Sequence, residues 1–337
     1  MKRRKFYLFP KADEHSKERR YLYYFAKALT TNNEVVNLYP NKHSKFKYLN
    51  YLVCLLKANT LILHWTENFA FLRQKAIRIP IALIYFFSLT LLKLCGKEVV
   101  WVFHNKHPHK GHNWISHLLL VYNAFISDLV VTNASEGISY CKTHYYRKAN
   151  VIFLPQPAYL EAVPINCEEI YDIIIWGEIR RAKCILEFLQ YWNGEKLSEK
   201  YKLLICGKCR DDSYNRELLQ QVTPNILYIN DFLKTADLNK YISSSKNILF
   251  THNYSSILCS GSLVYSLPFK KNIIGPPIGA FNDFAKMGVV SIYNRFDEIP
   301  GLLNKQPTSR SKELDDFLTG NTWENFASKF EKHLNQR

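Results

Sequence analysis

Short apolar runs of strand length recur along the whole chain, separated by segments long enough for a helix, and this alternation restricts the fold more than any other feature. In the first half the runs lie at 5–9, 34–39, 60–64, 97–104 and 128–132. Helical spacing over 15–29 sets Leu22, Phe25, Ala26 and Leu29 on one face. The second half repeats the pattern, with strands expected at 171–176, 201–206, 226–229, 247–251, 272–274 and 289–292. Helices are expected there at 183–192, 212–221, 235–243 and 262–267. A last helix over 322–335 has no strand after it. Strands joined through helix-length crossovers are parallel, and 337 residues exceed what one core holds. The expected fold is α/β: two Rossmann-like, doubly wound parallel-sheet domains, over 1–158 and 159–320. The helix of 321–337 is expected to pack back on the first domain. The segment from Leu154 to Tyr159 carries Pro155 and Pro157 and reads as the linker. Open parallel sheets bind ligands at the carboxyl ends of their strands, here facing a cleft between the domains.

Charge separates the two halves. Residues 1–150 hold 23 Lys and Arg against 8 Asp and Glu, and residues 151–337 hold 22 against 21. The excess of +15 in one half points to an anionic partner, either a lipid headgroup layer or a nucleic acid. With 47% hydrophobic and 15% aromatic residues, disorder and low complexity are excluded. The start, Met1-Lys2-Arg3-Arg4-Lys5-Phe6, lacks the apolar stretch of a secretory signal. Eight cysteines, at 54, 95, 141, 167, 184, 206, 209 and 259, are scattered and several lie in apolar segments. Both features lead us to expect reduced thiols and a cytoplasmic protein. No run of 18 uncharged apolar residues occurs. The run from Ile79 to Cys95 is interrupted by Pro80 and Lys93 and flanked by Arg73, Lys75, Arg78 and Lys97. It reads as a core helix or as an interfacial helix lying among headgroups, and as too short to span.

Four motifs follow strand ends. Ser260-Gly261-Ser262 opens a helix, and free backbone N–H groups at such a turn suit a diphosphate; an ordinary serine helix cap is the plainer account. Gly177-Glu178-Ile179-Arg180-Arg181-Ala182-Lys183 places two or three cations where phosphate oxygens would sit, or forms a solvated basic loop. His104-Asn105-Lys106-His107-Pro108-His109, with His112 behind, has histidines at ligand density. No carboxylate or thiolate lies among them, and Lys106 and Lys110 repel a cation, so a polar patch facing substrate is expected rather than a metal site. His64-Trp65-Thr66-Glu67 sets an aromatic beside a carboxylate, as sugar binding or general-base work requires; a Trp buried at the sheet edge is the alternative. The lone Cys206-Gly207-Lys208-Cys209 has no second pair at zinc-ribbon spacing. Cys206 reads as the core end of a strand, with Gly207 opening the turn.

On these residues the chain resembles the GT-B glycosyltransferases, in particular the family 4-like enzymes of bacterial capsule, exopolysaccharide and O-antigen synthesis. The stretch from Ser260 to Gly279 is similar to the family's donor-binding turn, helix, strand and Pro-x-x-Gly loop. Trp176 to Ile185 is similar to its phosphate-binding segment. The strand ending in His104-Asn105, the Pro108-His109 pair, the 64–67 tetrad and Leu154-Pro155-Gln156-Pro157 match the acceptor side. The similarity is patchy but collinear, from about 60 to 280. It implies a hexosyl transfer from a UDP- or GDP-linked sugar, with the donor bound by Arg180, Lys183, Gly207, Ser260, Gly261 and Ser262. Glu67 is the implied base if the enzyme inverts. His104 would contact the donor sugar, and His109 the sugar or an acceptor phosphate. No resident cofactor or metal is implied. The acceptor would be a lipid-linked saccharide, and the enzyme would sit peripherally on the inner face of the membrane.

The family's Glu-x7-Glu pair falls on Ile257 and Tyr265, Glu178 replaces an arginine, and Lys270 replaces a glycine. The donor's ribose is therefore expected to be held differently. A non-catalytic GT-B scaffold subunit is the alternative these losses raise. A basic nucleic-acid-binding protein is the alternative the charge raises, although no helix-turn-helix, zinc-finger or RNP pattern is present and no nucleic acid is expected.

Overall fold

The computed structural model describes residues 3–12, 20–38, 47–108, 111, 113–252, 256–304 and 312–336. The chain divides into two compact units. One comprises Met1–Gln156, Ser256–Leu258 and Asn321–Arg337; the other comprises Pro157–Ser255 and Cys259–Gly320.

In the first unit the elements run β1 (Lys5–Phe9), α1 (Arg20–Leu29), β2 (Glu34–Val35), α2 (Lys47–Lys57), β3 (Thr60–His64), α3 (Arg78–Leu94), β4 (Glu98–Phe103), α4 (Trp114–Ile126), β5 (Leu129–Thr132), α5 (Glu136–His144) and β6 (Val151–Phe153). Single 3₁₀ turns at Thr66–Phe71 and Lys75–Ile77 lead into α3. Six parallel strands form one sheet in the order β2-β1-β3-β4-β5-β6. The inner strands are apolar at consecutive positions because helices cover both faces of a parallel sheet; in β4, Val99 to Phe103 are all buried. Edge strands are short, which limits open pairing. The strand expected over 34–39 ends at Val35 because Asn37 takes over the ladder. Leu8 N donates to its Oδ1 at 3.1 Å, and its Nδ2 donates to Leu8 O at 2.8 Å.

The second unit repeats the grammar: β7 (Tyr171–Trp176), α6 (Ile185–Gly194), β8 (Leu203–Cys206), α7 (Asp212–Leu219), β9 (Ile226–Ile229), α8 (Thr235–Ser243), β10 (Ser245–Leu249), α9 (Gly261–Ser266), β11 (Asn272–Gly275), α10 (Gly279–Lys286), β12 (Val290–Ile292), α11 (Ile299–Leu303) and α12 (Lys312–Gly320). Its six parallel strands order as β12-β11-β10-β7-β8-β9. Ile173, Ile175, Phe188, Trp192, Leu203, Tyr214 and Ile274 are among the buried residues of its core. Helix α6 begins at Ile185, not at Lys183 as expected, because Cys184 holds left-handed backbone (φ 49°) and separates it from the 3₁₀ turn Arg181–Lys183.

The last helix, α13 (Trp323–Asn335), belongs to the first unit. Thr322 caps it, accepting from Asn325 N at 3.2 Å. Its buried face puts Phe326 and Phe330 edge-on to Phe25 of α1, at 5.3 and 5.2 Å between ring centroids. All eight cysteines are free thiols, including the Cys206 and Cys209 pair.

Candidate active site

The strand order of the second sheet reverses between β7 and β10, so ligands are expected at the carboxyl ends of those two strands. Two loops leave the neighbouring strands β7 and β8 side by side. After β7 the chain reads Gly177-Glu178-Ile179-Arg180, and after β8 it reads Gly207-Lys208-Cys209-Arg210. The loops are in register: Gly177 N donates to Cys206 O at 3.1 Å, and Ile179 bridges Cys209 in parallel. Contact this close demands glycine. A Cβ on Gly207, whose φ is 147°, would lie 2.1 Å from the Gly177 carbonyl oxygen. The consequence is that Arg180 and Arg210 occupy matched positions. Both ion-pair with Glu178, Arg210 at 3.7 Å, and the Arg210 guanidinium lies over the Phe232 ring at 5.5 Å.

Lys183 projects into the same place from the 3₁₀ turn. Its Nζ donates to Trp176 O at 3.3 Å, and it would be 3.2 Å from a Cβ on Gly177. Ser262 Oγ would be 2.8 Å from that same Cβ, so the lysine and the serine flank the open face of Gly177. Burial, reinforced by the Arg180 charge and partly opposed by Glu178, pulls the Lys183 ammonium down to about 8. Thr251, just past β10, donates its hydroxyl to Lys183 O and fixes the turn across the strand reversal. A charged, desolvated ammonium beside a bare glycine backbone is suited to an anion that supplies the missing acceptors.

Ser260-Gly261-Ser262 opens α9, as expected. Ser260 makes no side-chain cap bond, and Gly261 lies against Tyr159, whose hydroxyl would be 3.3 Å from an added Cβ. Arg181 departs from expectation. It is drawn away to Asp211, Ser213 and Glu217 around α7 and stacks on Tyr214 at 4.8 Å, so it pins the loop and does not join Arg180 and Lys183. The positions of the missing carboxylates are core. Ile257 is buried against Asn105 in the first unit, and Tyr265 is buried with its hydroxyl on Asn239 at 2.7 Å.

In the first unit the strand ends of β3 and β4 carry a stack of rings. Trp65 adopts left-handed backbone (φ 50°), which carries its indole onto His104 at 4.4 Å and 20° between planes. His64 Nδ1 and His104 Nε2 are 2.8 Å apart, and Tyr21 stands edge-on to both imidazoles. Burial and the neighbouring His104 drive His64 well below its ordinary range, so it is neutral, and its Nε2 has no partner among the described residues. Glu67 is not at the surface. It is 4% exposed on the 3₁₀ turn, and burial raises its carboxyl to about 7. His109 lies outside the described residues, as do Lys110 and His112. Lys106 is turned onto Glu136 and the Tyr140 ring. Among the described residues, no three His, Cys, Asp or Glu side chains converge to hold a metal.

Sequence reasoning missed Arg210, Thr251 and the ring stack. The Gly-x-x-Arg pattern after both strands was the signal for Arg210. For the stack there was none beyond the 64–67 tetrad, since it depends on an unusual φ at Trp65.

No family model matches the sequence, and no curated protein does. Solved structures match over nearly the whole chain. A sucrose-phosphate synthase from Thermosynechococcus elongatus superposes with a TM-score of 0.70 at 11% identity, covering 99% of both chains. Anabaena HepE, crystallised with UDP and glucose, gives 0.69 at 8% identity, covering 99% of this chain and 100% of its own. A glycosyltransferase from Rickettsia africae gives 0.65 at 12% identity, covering 99% of each. Likeness over that extent, together with two six-stranded parallel sheets, shows that the chain has the GT-B fold.

Proposed function

We propose that the chain is a glycosyltransferase that takes a sugar from a nucleoside diphosphate donor held by the second unit. The observation that carries this is the half-buried Lys183 ammonium set against Gly177 and Ser262 at the β7/β10 strand reversal, with Arg180 and Arg210 alongside. The UDP bound in the Anabaena neighbour supports the same ligand class, and UDP-glucose has been crystallised with that protein too. Displacement at the anomeric carbon sends negative charge onto the departing diphosphate. Lys183, Arg180 and the N–H groups at Gly261 and Ser262 would stabilise that charge in fixed positions, which is the largest catalytic contribution in most enzymes. Arg210 joins them once a diphosphate displaces Glu178 from the two guanidinium groups. These cations do the work of a divalent ion, so the reaction is proposed to be metal-independent.

The acceptor is proposed to be a lipid-linked saccharide of bacterial surface polysaccharide synthesis, bound by the basic first unit. His104, stacked on Trp65, is proposed to contact the transferred sugar. Glu67, at about 7, has the proton affinity of a general base working near neutrality. The loss of both family glutamates, now Ile257 and Tyr265, favours a second reading: a donor-binding GT-B subunit without turnover. Thermal unfolding with UDP, GDP, CMP and their sugars is the decisive experiment, because a ligand that binds only the native state raises its melting temperature. A rise with one diphosphate and its sugar supports donor binding, and no rise with any refutes it. Slow hydrolysis of the matched sugar nucleotide separates the enzyme from the subunit.

A further inference from the structure

Helix α3 leaves most of its apolar surface uncovered. Ile79, Leu83, Ile84, Phe87, Leu91 and Leu94 are exposed along one stripe, Phe87 to 72%. With the 3₁₀ turn before it, the segment Lys75–Leu94 is long and apolar enough by length and composition to cross a membrane, which corrects the expectation that the run is too short. Its neighbour α4, which sequence reasoning passed over, adds Trp114, Leu118 and Phe125, exposed to 60, 46 and 79%. These residues are spaced at four and seven, so they too form one stripe. Side-chain bonds tie α3 to α4 and to the residues just after it, among them Thr90 Oγ1 to Tyr122 OH at 2.6 Å. The Tyr85 hydroxyl donates to Asn123 Oδ1 at 2.5 Å, Tyr122 OH donates to Phe86 O at 2.9 Å, and Lys93 pairs with Asp128. Ala82 near one end of α3 and Leu89 near the other are both buried.

We infer that α3 and α4 form a platform that seats the first unit on an anionic lipid leaflet, lying in its plane without crossing it. Crossing would require α3 to detach from α4, whereas hydrogen bonds hold it there from Tyr85 to Thr90, and Lys93 is held by Asp128 just beyond. Charge selects the occupant. Arg73, Lys75, Arg78 and Lys97 flank α3 with one acidic side chain, Glu98, in the same stretch, while Lys93 and Lys106 are taken up by Asp128 and Glu136. Arg73 and Lys75 are exposed beside the start of α3. A basic rim around an apolar stripe suits anionic headgroups over acyl chains. A second copy would bring the same basic rim against itself. The inference stands independently of the donor site.

Co-sedimentation of the full-length protein with large vesicles tests it, comparing pure phosphatidylcholine with an equimolar mixture containing phosphatidylglycerol. The anionic vesicles should bind about tenfold more tightly or better, since each basic residue near the leaflet adds to the affinity. About 1 M salt, where the Debye length is about 3 Å, should release most of the protein. Phe87→Gln with Phe125→Gln should abolish binding to both mixtures. Arg73→Gln with Lys75→Gln should remove much of the preference for anionic lipid. Both double variants change exposed side chains, so each should melt with the wild type. Brominated acyl chains should quench tryptophan emission in the wild type and less in Trp114→Phe. The platform is refuted if neither vesicle binds, or if Phe87→Gln with Phe125→Gln leaves binding intact. It is equally refuted if those substitutions dissolve a dimer that has no affinity for lipid.

Discussion

Lys183→Met should make the protein more stable while weakening its affinity for UDP. Methionine fills nearly the same volume and keeps the apolar stem, but it carries no charge into the half-buried turn. The ammonium sits at about 8 instead of 10.5. At about 1.4 kcal/mol per unit, and discounted for partial exposure, holding it charged costs the unliganded fold about 2–3 kcal/mol. The sign follows from proton binding. Between pH 8 and 10.5 the unfolded chain keeps the Lys183 proton and the folded chain sheds it, so this residue's contribution to stability rises with pH over that window. The gain of Lys183→Met over wild type should therefore be greatest below about pH 8 and shrink toward zero by pH 10.5. Urea unfolding of both proteins at a series of pH values measures the difference and cancels the tyrosines and thiols that titrate in the same range. Calorimetric titration with UDP should show affinity falling roughly 10- to 100-fold, the size of one lost charged hydrogen bond. A variant no more stable than wild type at neutral pH, or a gain that ignores pH, would overturn the account of Lys183 as a cation stored in an unfavourable place.

Other perturbations address the same sites. Glu178→Gln should tighten UDP binding several-fold in calorimetry, because it frees Arg180 and Arg210 and removes a carboxylate from the phosphate site; weaker binding would show that Glu178 itself contacts the ligand. Arg210→Ala should weaken UDP binding to about the same extent as Arg180→Ala, by roughly 1.5–3 kcal/mol, with no change in the far-UV spectrum. Wild-type UDP affinity should be level below about pH 8 and decline above it as Lys183 loses its proton. Glu67→Gln should cut turnover by about 100-fold or more at unchanged UDP affinity, and in the wild type kcat should rise with pH through about 7; retained turnover removes Glu67 from the chemistry. Turnover should persist in EDTA, and a complete loss restored by Mg²⁺ would contradict the metal-independent reading.

The inner strands of both sheets were legible because burial on two faces leaves consecutive apolar residues, as in Ile173-Ile174-Ile175 and Val99 to Phe103. The edges were not. The end of β2 is decided by one side-chain amide, Asn37, and β6 is three residues that abut the prolines taken for a linker. The turn after β7 was legible as a cluster of Gly, Arg and Lys after a strand. Which cations share the place was not, since Arg181 and Arg180 are adjacent in sequence yet point to different partners, and Arg210 enters from another strand. Glu67 was legible as a carboxylate beside an aromatic, but its burial was not. The 3₁₀ turn after β3 carries it inward. The apolar helix over 79–95 was visible as composition, but its exposure could be known only once its neighbours were placed.

The return of α13 to the first unit sets the order in which that unit can be finished during synthesis. Phe25 and Phe6 have Phe330 as a ring neighbour, and Tyr21 meets Trp323 at 5.5 Å. Those partners are translated only after every strand of the second sheet. At about 5–20 residues per second, the interval between the codons for Gln156 and Trp323 is roughly ten to thirty seconds. For that time the aromatic face of α1 lacks the rings of α13 that cover it in the finished fold. The second unit thus completes its own sheet before the first one closes.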